Sequence, residues 1–128
     1  MILVDVHCRF ALTTIAYTLA LGIWGAVAFL RGSGVGGSYF GSLVIGEIFV
    51  ILQGVLGVIL VITGLWPHDP LHFLYGVVIA ISWPGVFAYT HGERTRREMG
   101  FYAIASIFIF GLAVRAIMTG AAGAPSCF

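Results

Sequence analysis

Long uncharged stretches constrain this chain more than any other feature of its sequence. Phe10 to Leu30 is 21 residues without Asp, Glu, Lys or Arg, and Leu71 to Thr90 is 20. Tyr39 to Trp66 is interrupted only by Glu47, and Met99 to Thr119 only by Arg115. A helix that crosses a bilayer needs about 20 apolar residues, so each stretch is long enough to span. Inside lipid every backbone N–H and C=O must be paired within the segment or within a closed barrel. A barrel would show short alternating strands, and these stretches do not alternate. The chain therefore reads as one all-α domain over residues 1–128, an integral membrane four-helix antiparallel bundle. The spans are expected at approximately 7–30, 39–66, 70–91 and 96–119.

Composition excludes the competing classes. Sixty per cent of the 128 residues are hydrophobic and 9% are charged, against about 45–50% and about 25% in soluble domains. So few charges cannot clothe a soluble globule, and so apolar a chain does not stay disordered. The six basic residues are all arginine and the net charge is +1. Such a chain has no phosphate-neutralising patch, and nucleic acid is not an expected partner.

The connections carry their own signals. Arg31 to Ser38 is a Gly-rich loop. Asp69 is placed to cap the third span with Pro70 at its first position. Gly92 is placed to stop that span, and Pro84 should kink it. Thr95 and Glu98 have capping-box spacing for the fourth span. The tail Gly120 to Phe128 reads as irregular.

Arg31, Arg94, Arg96 and Arg97 fall in loops 1 and 3, with only Arg9 and Arg115 near the other side. By the positive-inside rule, loops 1 and 3 are cytoplasmic in a bacterial inner membrane. The N- and C-termini and loop 2 are then extracytoplasmic. Ala26-Val27-Ala28 resembles a signal-peptide cleavage site. The thin basic region before it favours a retained helix.

The candidate chemistry lies at the extracytoplasmic end. His7 opens span 1 and His72 opens span 3. In an antiparallel bundle these two helices run the same way, so both imidazoles sit at one depth. Opposed histidines on neighbouring helices can ligate a haem iron from its two faces. The alternative at this point is two unrelated interfacial histidines. Arg115 lies at the depth of His72, where it could meet a haem propionate or snorkel to the headgroups; the same choice applies to Arg9. Gly54, Gly57 and Gly76 could admit a macrocycle or serve helix packing. His68 precedes the cap and shares no helix face with His72. His91 is suited to complement the dipole of span 3. Glu47 is costly in a membrane and could pair with Arg31 or a loop 3 arginine, or serve a proton or quinone. Gln53 could bond across helices. Cys8 and Cys127 fall on one side, as a disulfide or as two thiols.

Gln53-Gly-Val-Leu-Gly57, Val61-Ile-Thr-Gly-Leu-Trp-Pro67 and Leu71-His72-Phe73 together resemble one four-helix half of the haem A synthase family. The preceding helix of such a half opens with His-Arg, and His7-Cys8-Arg9 stands in a similar place with one residue inserted. The resemblance covers roughly residues 5 to 80. It implies that His7 and His72 are a bis-histidine pair for b-type haem. The family's catalytic half has a glutamate shortly before its first histidine, where this chain has Val4, with Asp5 nearer. The family has two such bundles and an extracytoplasmic cysteine pair; this chain has one bundle and lacks the pair. What carries over is haem binding by a single bundle rather than haem oxidation.

The expectation is therefore a small b-type cytochrome-like membrane protein with one haem b on His7 and His72. Its cofactor-binding set is His7, His72, Arg9, Arg115, Gly54, Gly57 and Gly76. It would transfer electrons or serve as an accessory subunit, with lipid and other subunits of an energy-transducing complex as partners. Two alternatives stand beside it. One is a cofactor-free structural subunit of a larger membrane complex. The other is a chlorophyll-type pigment-binding protein using His72 alone.

Overall fold

The computed structural model describes residues 2–120. Four helices follow one another, α1 (Ile2–Leu30), α2 (Gly37–Ile62), α3 (Leu71–Tyr89) and α4 (Arg96–Gly120), and no strand occurs among the described residues. All four are long and apolar enough to cross a membrane. On α2, Ile45, Ile48, Ile51, Val55, Val58 and Ile62 are exposed at helical spacing. A continuous apolar face of that kind belongs in lipid rather than water. The protein is an integral membrane protein, an all-α antiparallel four-helix bundle in contact with the bilayer.

Packing around the ring is uneven. The α1–α4 contact is the most extensive, α3 lies on α4 and α1 on α2, and α2 touches α3 only thinly. Small residues bring α1 and α4 close. A Cβ at Gly25 would lie 2.9 Å from the Ala103 Cβ and 3.1 Å from its Cα, and one at Gly22 would collide with the Ile107 side chain. Helices in lipid associate through such close backbone approach, because lipid tails offer no hydrophobic contrast.

The end carrying loops 1 and 3 is packed solid. Tyr39, Met99 and Tyr102 are almost wholly buried there, and Trp83 and Leu43 join them. Two polar tips of this cluster find partners, as buried aromatics usually do, while the Tyr102 hydroxyl is buried without one. The Tyr39 hydroxyl donates to Leu21 O at 2.9 Å, and Trp83 Nε1 donates to Ser106 Oγ at 3.1 Å. The Tyr17 hydroxyl donates to Ser42 O at 2.6 Å, tying α1 to α2.

Several span limits differ from the sequence expectation. α1 begins at Ile2 rather than near residue 7. α2 ends at Ile62 rather than Trp66 because Gly64, at φ +92°, turns the chain into the left-handed region. The Gly64 N–H then bonds to Val61 O at 3.0 Å and the Leu65 N–H to Leu60 O at 2.9 Å. Those two bonds form a Schellman closure, which satisfies the last carbonyls of the helix. The same pair of bonds closes α3, but His91 at φ 54°, not Gly92, occupies the first left-handed position.

The start signals act as expected. Asp69 Oδ1 accepts the Leu71 N–H at 2.9 Å, so Asp69 caps α3 ahead of Pro70. Glu98 Oε1 accepts the Thr95 N–H at 2.9 Å and also bonds the Thr95 hydroxyl, while Arg97 Nε donates to Glu98 Oε2 at 2.9 Å. Pro84 lies inside α3.

Candidate cofactor site

The opposite end of the bundle is hollow. A cavity of about 630 Å³ lies there, bordered by all four helices. Its walls include His7 from the second turn of α1, Gly54 and Gly57 near the end of α2, His72 and Gly76 from the start of α3, and Ala116 and Gly120 at the end of α4. Since α2 and α3 barely touch, glycines on both of them leave space where side chains would otherwise close the ring. A Cβ at Gly54 or Gly76 would meet nothing within 4 Å. The lining contains no Asp, Glu, Lys or Arg.

His7 and His72 meet in this cavity. Their ring centroids are 6.1 Å apart, with 62° between the ring planes. His72 is held at its ring: Nδ1 lies 2.8 Å from Ala116 O, so an Nδ1–H donates there and Nε2 is the nitrogen left for another partner. The Thr119 hydroxyl lies 3.4 Å from the same Nδ1. The loop before His72 is held too, because the Asp69 N–H donates to Thr119 O at 3.1 Å. Gly120 makes the ring's position possible. A Cβ there would lie 2.6 Å from His72 Cε1.

His7 is held differently. Gln53 Nε2 donates to its backbone carbonyl at 2.9 Å, which fixes α1 against α2. Its ring rests on Gly57, where a Cβ would lie 3.3 Å from His7 Cε1. Its Nδ1 is buried without a hydrogen-bond partner, and so is Gln53 Oε1.

Of the residues expected at the site, the structure gathers His7, His72, Gly54, Gly57 and Gly76 around one cavity. Arg9 and Arg115 are not brought to it. Arg9 Nε pairs with Asp5 Oδ2 at 3.0 Å on an exposed face, and Arg115 is exposed and outside the lining. Glu47 is half-buried on α2. It takes part in neither ion pair found among the described residues, and its Oε2 has no hydrogen-bond partner. The expected pairing with Arg31 or a loop 3 arginine is thus not made. His68 is exposed in the loop before α3. Cys8 is buried beside the cavity. Cys127 lies outside the described residues, and with it the disulfide expectation; of the tail expected to be irregular, Gly120 is instead the last residue of α4, and the rest lies outside the described residues. Ala116 and Gly120 were not expected. Their only sequence signal is two small residues four apart at the end of α4.

No family model, no curated protein and no solved structure matches the chain.

Proposed function

We propose that the chain is a small b-type cytochrome-like membrane protein holding one haem b between His7 and His72. The observation that carries this reading is the 6.1 Å separation of the two imidazoles inside an apolar cavity. Two imidazoles holding one metal between them through nitrogens about 2 Å away, with each ring centre about 1 Å farther out, would have centroids roughly 6 Å apart. The cavity, about 630 Å³, falls within the roughly 300–1,000 Å³ usual for small-molecule and cofactor sites.

Three further features support the fit. The His72 Nδ1–H on a backbone carbonyl fixes the tautomer and aims Nε2, as the outer partners of metal-bound histidines usually do. Gly54 and Gly76 leave open space on the facing parts of α2 and α3, where a Cβ would meet nothing within 4 Å. Two protein ligands suffice for a haem iron, because the porphyrin supplies the rest. A bare metal ion calls for a larger donor set, and no group of three His, Cys, Asp or Glu gathers among the described residues.

Haem bound there supplies one-electron chemistry, and the chain's part is to ligate it, orient it and keep water away. The partial resemblance to a haem A synthase half agrees with binding and not with catalysis. With such short connections between its spans, the chain would work as an electron-transfer or accessory subunit beside other membrane subunits. In this reading the cavity lies at the extracytoplasmic side of a bacterial inner membrane, with both termini on that side. Arg9 and Arg115 have no part in it.

The test is a haem titration of the purified chain in detergent. The proposal predicts saturation at one haem per chain with a six-coordinate, low-spin spectrum. A chain that takes up no haem contradicts it and favours a cofactor-free structural subunit. Uptake of a magnesium chlorin in place of haem, retained by His7→Ala, would favour the pigment reading.

A further inference from the structure

The two histidines are not equivalent. His72 is fixed at its ring by the Ala116 carbonyl, 2.8 Å from Nδ1, and is boxed in by the backbone at Gly120. His7 is hydrogen-bonded by Gln53 at its backbone, and its ring has packing contact on Gly57. Its ring nitrogen Nδ1 is buried without any partner. When a neutral imidazole binds a metal through Nε2, its proton sits on Nδ1, and that N–H needs an acceptor. At His72 the acceptor is in place. At His7 the proton would be buried and unsatisfied, a cost that ligation by His72 does not carry.

Resting on the haem reading above, we infer that His7 is the exchangeable axial ligand and that its side of the site accepts a small neutral donor molecule. His72 is the permanent ligand. The surroundings favour an uncharged ligand. Val4, Ala11, Gly57 and Val61 line the cavity with His7, and no charged side chain of the described residues lines it. Gln53 keeps the α1 backbone in place while the ring swings away, so exchange does not require the helices to part. In the exchange with carbon monoxide, the iron–nitrogen bond to His7 breaks and an iron–carbon bond forms. His7 leaves as neutral imidazole with its lone pair, the iron remains ferrous, and no proton or electron is transferred.

The experiment uses the full chain loaded with haem b in detergent, reduced with dithionite and titrated with carbon monoxide. Wild type is expected to convert to a carbon monoxide spectrum, with a rate that levels off at high carbon monoxide because loss of His7 becomes limiting. The His7→Ala variant should lose less haem affinity than His72→Ala and bind carbon monoxide without that plateau. The His72→Ala variant should lose haem affinity by about tenfold or more. A wild-type ferrous spectrum unmoved by saturating carbon monoxide overturns the inference. Equal loss of haem affinity in folded His7→Ala and His72→Ala also overturns it. Both results leave the haem reading standing, whereas a wild type that never takes up haem overturns that reading itself. Should either variant fail to fold, the wild-type titration still decides.

Discussion

The His72 ring owes its position to one backbone acceptor and one absent side chain. Ala116 O holds Nδ1, and Gly120 leaves the space the ring fills. Adding a methyl group at Gly120 would put a carbon 2.8 Å from Nδ1, so the ring must move. Gly120→Ala is therefore expected to cut haem affinity about tenfold while the helical circular dichroism stays unchanged. An affinity equal to wild type would show that the ring's place does not matter. The arginines show where residue-level reading of the sequence stops. Position along a span gives depth, and the depth of Arg115 is that of the cavity. Each residue of a helix also turns the side chain by about 100°. Ala116 lines the cavity, and Arg115, one residue earlier, faces outward. That rotation is set by which face of α4 packs on α1 and α3, and an apolar stretch with no polar stripe does not record it. His7 and His72 were legible because both lie within the first two turns of helices that run the same way, so their depth alone nearly determined their meeting.

At the scale of elements, the glycines divide into two kinds. Gly22 and Gly25, between α1 and α4, are in contact, and Gly54 and Gly76, facing the cavity, are not. A Cβ at Gly25 would sit 2.6 Å from the Tyr39 hydroxyl and against Ala103. Gly25→Ala is expected to destabilise the bundle by about 1–3 kcal/mol, the usual effect of overpacking. Gly54→Ala meets open space. It should leave the bundle unchanged or firmer by about 0.5–1 kcal/mol, because alanine is the better helix former. Unfolding of both variants in mixed micelles measures the contrast. A Gly54→Ala variant less stable than Gly25→Ala would mean that the α1–α4 contact does not hold the bundle together. The sequence shows that these helices contain glycine but not which ones touch a neighbour. The caps at Asp69 and Thr95 could be read in advance because they act within a few residues. The end of α2 was misplaced by four residues because Gly64 stops the helix inside a stretch that stays apolar to Trp66.

For the molecule as a whole, scarcity of charge gives more than a membrane address. The end holding loops 1 and 3 is filled by Tyr39, Trp83, Met99 and Tyr102, and the other end is left hollow around two histidines. A protein that served only as packing would have little reason to have glycine at 54 and 76 facing empty space. The arginine distribution predicts that loop 1 is cytoplasmic. A cysteine introduced at Ser33 of a bacterially expressed chain should react with a membrane-impermeant maleimide only after the cells are broken. Labelling of intact spheroplasts would reverse the orientation. The central claim, a haem held by His7 and His72, is tested most directly by a reduced-minus-oxidised absorbance spectrum. Wild-type protein purified from cells should show the sharp α-band of a six-coordinate b-type haem, and the folded His7→Ala/His72→Ala double variant should show none. A wild type without an α-band, or a double variant that retains it, would contradict the account.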